Sequence, residues 1–114
     1  MKYILIVIRK DLNFKKGPII TQACHAVSAL VYEHRSDPRL LDYFSNMQEL
    51  RKITYKIPSV DQLWQLKNEL NLLGIMHYEW IEQPENITTC VAFGPLEMDD
   101  RIRGIFDKYQ VKLY

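Results

Sequence analysis

Tyr3-Ile4-Leu5-Ile6-Val7-Ile8 runs into Arg9-Lys10-Asp11-Leu12, then Lys15-Lys16-Gly17-Pro18, then Ile19-Ile20-Thr21-Gln22-Ala23-Cys24-His25-Ala26. The first six residues are an unbroken apolar run of strand length, which reads as a buried strand over about 2–9. From Ile19 onward the period changes. Ile19, Ile20, Ala23, Ala26, Val27, Leu30 and Val31 recur at helical spacing. A strand, a short loop and a helix in that order form the unit at whose junction open α/β sheets place their ligands.

Pro18 suits the first position of that helix, because its missing N–H would be unpaired there, and Gly17 is acceptable as the cap. The expected helix spans about 18–34. Its first-turn N–H groups carry partial positive charge, and Lys15 and Lys16 add to it, so a phosphate or carboxylate is welcome there. An ordinary connection with solvated lysines accounts for the same loop. Thr21, His25, Ser28 and Tyr32 share one face of the helix, with Gln22 a near neighbour of His25. A histidine so placed serves as a general base or as a substrate hydrogen-bond donor, or simply as a structural residue.

The rest of the chain alternates strands and helices. A short helix opens at Pro38 and runs to about 47. Residues 51–57 alternate polar and apolar and read as a strand ended by Pro58. Ser59 and Gln62 have the spacing of a capping box for a helix that Gly74 closes. Trp64 reads as packing on that helix. A third strand covers about 75–81, with His77 on its solvent side, opposite Trp80. Residues 82–87 read as a polar loop and 88–93 as a fourth strand. Gly94-Pro95 then turns the chain into a last helix over about 97–108, and 110–113 has the look of an edge strand. The expectation is an α/β protein: a single domain over 1–114, three layers, α/β/α, around a central mixed sheet of four to five strands.

Composition narrows the functional classes. The chain has 114 residues, 47% hydrophobic and 25% charged, with formal net charge +1. That balance is only weak support for nucleic-acid binding, which usually shows a basic bias. Arg9, Lys10, Lys15 and Lys16 still make a local basic cluster. Cys24 and Cys90 are the only cysteines, and neither has metal-ligand spacing with another Cys or His, so free thiols and no metal or cofactor are expected. The apolar run near the start is too short for a secretory signal or a membrane span, which points to a cytoplasmic protein.

Arg9-Lys10-Asp11-Leu12, Gly17, Gln22 and His25-Ala26 together resemble the signature of the archaeal and eukaryotic class of peptidyl-tRNA hydrolase, the peptidyl-tRNA hydrolase 2 family. Thr89-Cys90-Val91-Ala92-Phe93-Gly94-Pro95 is similar to that family's last core strand, and Val111-Lys112-Leu113-Tyr114 to its closing residues. A divergent branch, that of peptidyl-tRNA hydrolase domain-containing protein 1, is more similar still. It shares Thr21-Gln22-Ala23-Cys24-His25-Ala26 almost entirely, and Glu82-Gln83-Pro84-Glu85-Asn86-Ile87.

The resemblance implies hydrolysis of the ester between a peptide and the 3′ end of tRNA, without a cofactor. It implies His25, Gln22 and Thr89 as catalytic residues and Arg9, Asp11, Lys15, Lys16, Gly17 and Gln83 as substrate-binding residues. It implies tRNA as partner, and a homodimer is compatible with it. Two departures weigh against full activity. The family has a Lys directly after its loop glycine, where this chain has Pro18, and an Asp where this chain has Gln83. The alternative is a non-catalytic module on the same fold that binds tRNA, peptide or another protein.

Overall fold

The computed structural model describes residues 1–114. The apolar run Tyr3–Arg9 is β1, the middle strand of a five-stranded sheet, and Ile4 to Ile8 are each no more than 4% exposed. Lys52–Ile57 (β2) lies parallel to it on one side, and Ile87–Leu96 (β4) antiparallel on the other. His77–Glu82 (β3) pairs outside β4, and Lys112–Leu113 (β5) outside β2, giving the order β3-β4-β1-β2-β5. A parallel neighbour requires a crossover, which here consists of helices α1 (Lys16–Glu33) and α2 (Pro38–Tyr43).

The two faces of the sheet are two cores. Leu5, Val7, Val91 and Phe93 pack against Leu63, Leu66 and Leu70 of α3 (Val60–Leu72) and against Ile102 and Phe106 of α4 (Asp100–Lys108). Ile4, Ile6, Ile8 and Ala92 pack against Ile19, Ala26 and Leu30 of α1, with Tyr43 of α2. Each fully buried aliphatic side chain of this kind is worth about 1.5–3 kcal/mol. The sheet between two helical layers is the architecture the periodicities imply.

Several boundaries differ from the sequence reading. α1 begins at Lys16, with Lys15 as an extended N-cap, so Pro18 is the third helical residue and not the first. None of the first four N–H groups of a helix has an internal partner, so proline fits there equally well. α2 stops at Tyr43, where the Ser45 hydroxyl donates to the Asp42 carbonyl. β4 continues through Gly94-Pro95 to Leu96, because Leu96 pairs with Tyr3 at the sheet's end. A Cβ on Gly94 would stand 2.7 Å from the Tyr3 carbonyl oxygen, and its φ of +116° suits glycine alone. α4 begins at Asp100, capped by the Asp99 carboxylate on the Ile102 N–H.

Two side chains are also placed differently. His77 is half-buried on the α3 side, its ring 6.3 Å from that of Phe93, and burial lowers its pKa. Trp64 is 42% exposed, and its indole N–H donates to Glu79 at 3.1 Å. Each follows from the same cause: β3 is an edge strand, so the residues flanking it are covered from one side only.

Candidate active site

α1 lies across the β3–β4 half of the sheet. Its inward stripe carries one polar residue, Gln22, 1% exposed. Both ends of that amide are paired. Its Oε1 accepts from the Thr89 hydroxyl at 2.9 Å, and its Nε2 donates to Glu82 Oε2 at 2.9 Å. The backbone carbonyl of Gln22 also accepts from the Cys90 thiol at 3.4 Å.

Thr89 and Cys90 are adjacent in β4, yet both face α1. A β-bulge makes this happen. Trp80 of β3 pairs with Cys90 and Ile81 with Thr88, which leaves Thr89 as the extra residue. An extra residue breaks the alternation and re-aims its side chain. The same shift turns Thr88 to the opposite face, where its hydroxyl bonds Glu79. The α1 side of β3 carries Tyr78, Trp80 and Glu82 by simple alternation.

His25 comes one turn after Gln22 on α1. Its ring stacks on that of Trp80, centroids 4.6 Å apart and planes 22° from parallel. The Trp80 indole N–H donates to Glu82 Oε1 at 3.1 Å. Glu82 therefore meets Gln22 with one oxygen and Trp80 with the other. These bonds, Gln22 first and Trp80 second, hold its carboxyl below the usual carboxylate range, with the nearby His25 adding to the effect. Cys90, fully buried, has its thiol pushed up to about 12 by burial. A thiol that stays protonated is no nucleophile.

The expected catalytic trio thus comes together, but not as an open pocket framed by three side chains. Thr89 is 0% exposed and Gln22 1%, because they satisfy each other beneath the surface. The half-exposed groups are His25, Trp80 and Glu82. Glu82, the first residue of the loop expected over 82–87, is instead the last residue of β3. Its signal in the sequence is its place two residues after Trp80, on the same face of a strand that runs one residue further than its hydrophobicity shows.

The expected substrate-binding residues are more dispersed. Arg9 donates to both carboxylate oxygens of Asp11, at 2.9 and 3.0 Å, and to the Thr88 carbonyl at 2.9 Å. This clamps the end of β1 and its loop against the bulged stretch of β4, and the guanidinium holds the Asp11 carboxyl below its ordinary pKa. Lys15, Lys16 and Gly17 are exposed at the start of α1. Lys16 borders a cavity of about 560 Å³ on the opposite flank of α1, lined also by Phe14, Ile20, Cys24 and Tyr114. Gln83 turns away from Gln22, its amide donating to Asn86 Oδ1 at 3.1 Å.

The family model of the peptidyl-tRNA hydrolase PTH2 matches residues 2–111. The chain belongs to that family. A human protein named "Putative peptidyl-tRNA hydrolase PTRHD1" is 35% identical over 100 residues, covering 83% of this chain and 71% of that one. A peptidyl-tRNA hydrolase of Thermoplasma acidophilum is 31% identical over 120 residues, 97% of this chain and 98% of its own. One of Methanococcus vannielii is 32% identical over 106 residues, 88% and 90% of the two chains. In this chain the Gln22–Thr89 pair has a carboxylate against it, that of Glu82, next to the glutamine at position 83.

Proposed function

We propose that this chain is a peptidyl-tRNA hydrolase that cleaves the ester between a peptide and the 3′ end of tRNA. Family membership supports the reading, and one observation carries it to residues. A half-exposed histidine lies on a tryptophan beside a carboxylate, over a closed Gln22–Thr89 hydrogen bond. His25 orients a water and takes its proton. The water oxygen attacks the ester carbonyl carbon, the ester C–O bond breaks, and the proton passes to the departing ribose hydroxyl. An ester is activated enough that no covalent nucleophile is needed, and the protonated Cys90 thiol offers none.

Gln22 and Thr89 act from behind, as the frame that fixes α1 against the bulge of β4. The free N–H groups of the first turn of α1, with exposed Lys15 and Lys16, hold the terminal phosphates. Arg9, spent on Asp11 and Thr88, shapes the site without contributing free charge. The reading carries a cytoplasmic place of work in translation; a homodimer is compatible with it, and sedimentation tests that.

Pure protein is incubated with a defined peptidyl-tRNA, and free tRNA is followed beside a His25→Ala control. The expected result is release that the substitution removes. No release, with tRNA binding that weakens as salt rises, replaces the enzyme with a binding module on the same fold.

A further inference from the structure

Gln22, Thr89, Trp80 and His25 all trace back to one side chain that neither helix supplies. We infer that Glu82 is the positioning residue of this site, its carboxylate fixing the Gln22 amide with one oxygen and the indole under His25 with the other. The inference rests on the hydrolase reading above for its kinetic consequence, though not for its geometry.

An ionised carboxylate only accepts. Facing it, the Gln22 amide must present Nε2, at 2.9 Å, and so must present Oε1 to Thr89. The single Thr89 proton is thereby committed to Gln22 at 2.9 Å, in preference to the Cys90 sulfur at 3.7 Å. The indole N–H only donates, and its partner is the other oxygen of the same carboxylate, at 3.1 Å. That bond fixes the plane of Trp80, on which the His25 ring stacks with centroids 4.6 Å apart. One carboxylate at the end of an edge strand therefore sets the sense of the buried pair and the tilt of the half-exposed imidazole.

Neutral replacements cannot do the same. A glutamine offers one acceptor to two donors, so either Trp80 loses its partner or the Gln22 amide turns over and reverses the Thr89 hydroxyl. An alanine releases both. Glu79 is the natural comparison. It lies on the same strand, facing the other way, and accepts from the indole of Trp64 and the ammonium of Lys67.

The test uses Glu82→Gln, Glu82→Ala, Trp80→Phe, the double variant Glu82→Ala with Trp80→Phe, and Glu79→Gln, in the full chain. The first readout is the pair of indole N–H signals in a nitrogen-correlated NMR spectrum, assigned by the one that Trp80→Phe removes. Glu82→Ala is expected to move the Trp80 signal to the position of a water-bonded indole, and Glu79→Gln to move only that of Trp64. The second readout is tRNA release. Both Glu82 variants are expected to lower kcat on the order of tenfold to a hundredfold with KM nearly unchanged, the cost of misplacing a reacting group. The double variant is expected to be no slower than the worse single one, since Glu82 acts on His25 through the indole.

An unmoved Trp80 signal in Glu82→Ala overturns the inference, as does wild-type kcat in both Glu82 variants or losses that multiply in the double variant. Glu82→Gln, close in size, guards against a folding defect in the alanine variant. A wild-type protein that releases no tRNA overturns the hydrolase reading, and with it the kinetic half of the inference. The indole signals still decide the orienting half.

Discussion

The Thr89 hydroxyl meets the Gln22 amide oxygen at 2.9 Å because Thr89 is the extra residue of a bulge, where Ile81 pairs with Thr88 and Trp80 with Cys90. In a regular strand, Thr89 would face α3 and Gln22 would be left with a buried, unpaired oxygen under α1. The bulge and the one polar residue of the inward stripe of α1 thus require each other. Arg9 reinforces the arrangement from β1 by donating to the Thr88 carbonyl.

That dependence has a measurable price in stability. Thr89→Val keeps the side-chain shape and removes the only donor to Gln22 Oε1, which stays buried. An unsatisfied buried acceptor costs about 1–3 kcal/mol. The urea midpoint is expected to fall by the corresponding amount with an unchanged slope, since no surface is exposed. Release of tRNA is expected to slow as well, because the frame under His25 loosens.

Most of the fold is legible in the sequence because it is written in repetition. Ile4 to Ile8 announce a strand buried on both faces, and the spacing of Ile19, Ala26 and Leu30 announces a helix over it. Ser59 caps α3 on the Gln62 N–H, as the spacing says. The site is less legible because it depends on single exceptions to repetition. Thr88-Thr89-Cys90 reads as plain alternation, and only the pairing with β3 makes Thr89 the odd residue. Glu82 reads as the first residue of a loop, since a charged residue at a strand end carries no hydrophobic signal. Gln22 and His25 are visible by spacing, but their burial is not: the first is sealed and the second half-open.

The two cysteines are expected to part ways in a thiol-labelling experiment. Cys24 is exposed on the outer flank of α1, while Cys90 is fully buried, bonded to the Gln22 carbonyl, and has its thiol pushed up to about 12. Labelling needs the thiolate and access to it. At neutral pH one thiol is expected to react promptly, and the second only at the rate of unfolding. Mass spectrometry of the singly labelled protein is expected to place the label on Cys24. A fast second label would mean that the α1–β4 contact opens readily.

Acid stability is expected to depend on Asp37 in a definite direction. Its carboxylate caps α2 and pairs with Arg39; the Arg39 guanidinium, then the Arg39 N–H, lower its pKa from 3.8 to about 2. A carboxyl with a folded value below its unfolded one stabilises the fold above the unfolded value and ceases to do so as pH falls through the folded one. The difference in thermal midpoint between wild type and Asp37→Asn is therefore expected to be full above pH 3.8 and to vanish as pH falls through about 2. A gap that persists in stronger acid would assign the contribution to shape and not to charge.

The first turn of α1 holds Pro18, one of the two departures from the family pattern that the resemblance implies, and it is expected to respond to repair. Pro18 is the third residue of the helix, exposed, with no N–H to offer. A lysine there restores one donor to the helix start and adds a cation beside Lys15 and Lys16. Neither change disturbs packing, since the position is exposed. Both favour the negative charge that a terminal phosphate brings and that develops on an ester carbonyl oxygen under attack. Pro18→Lys is expected to raise the rate of tRNA release on the order of tenfold. It is also expected to steepen the loss of tRNA binding with salt by about one phosphate contact. A rate gain without the change in salt slope would place the new cation at the carbonyl. A change in slope alone would place it on the tRNA backbone, with the limiting step then set by His25 and its platform.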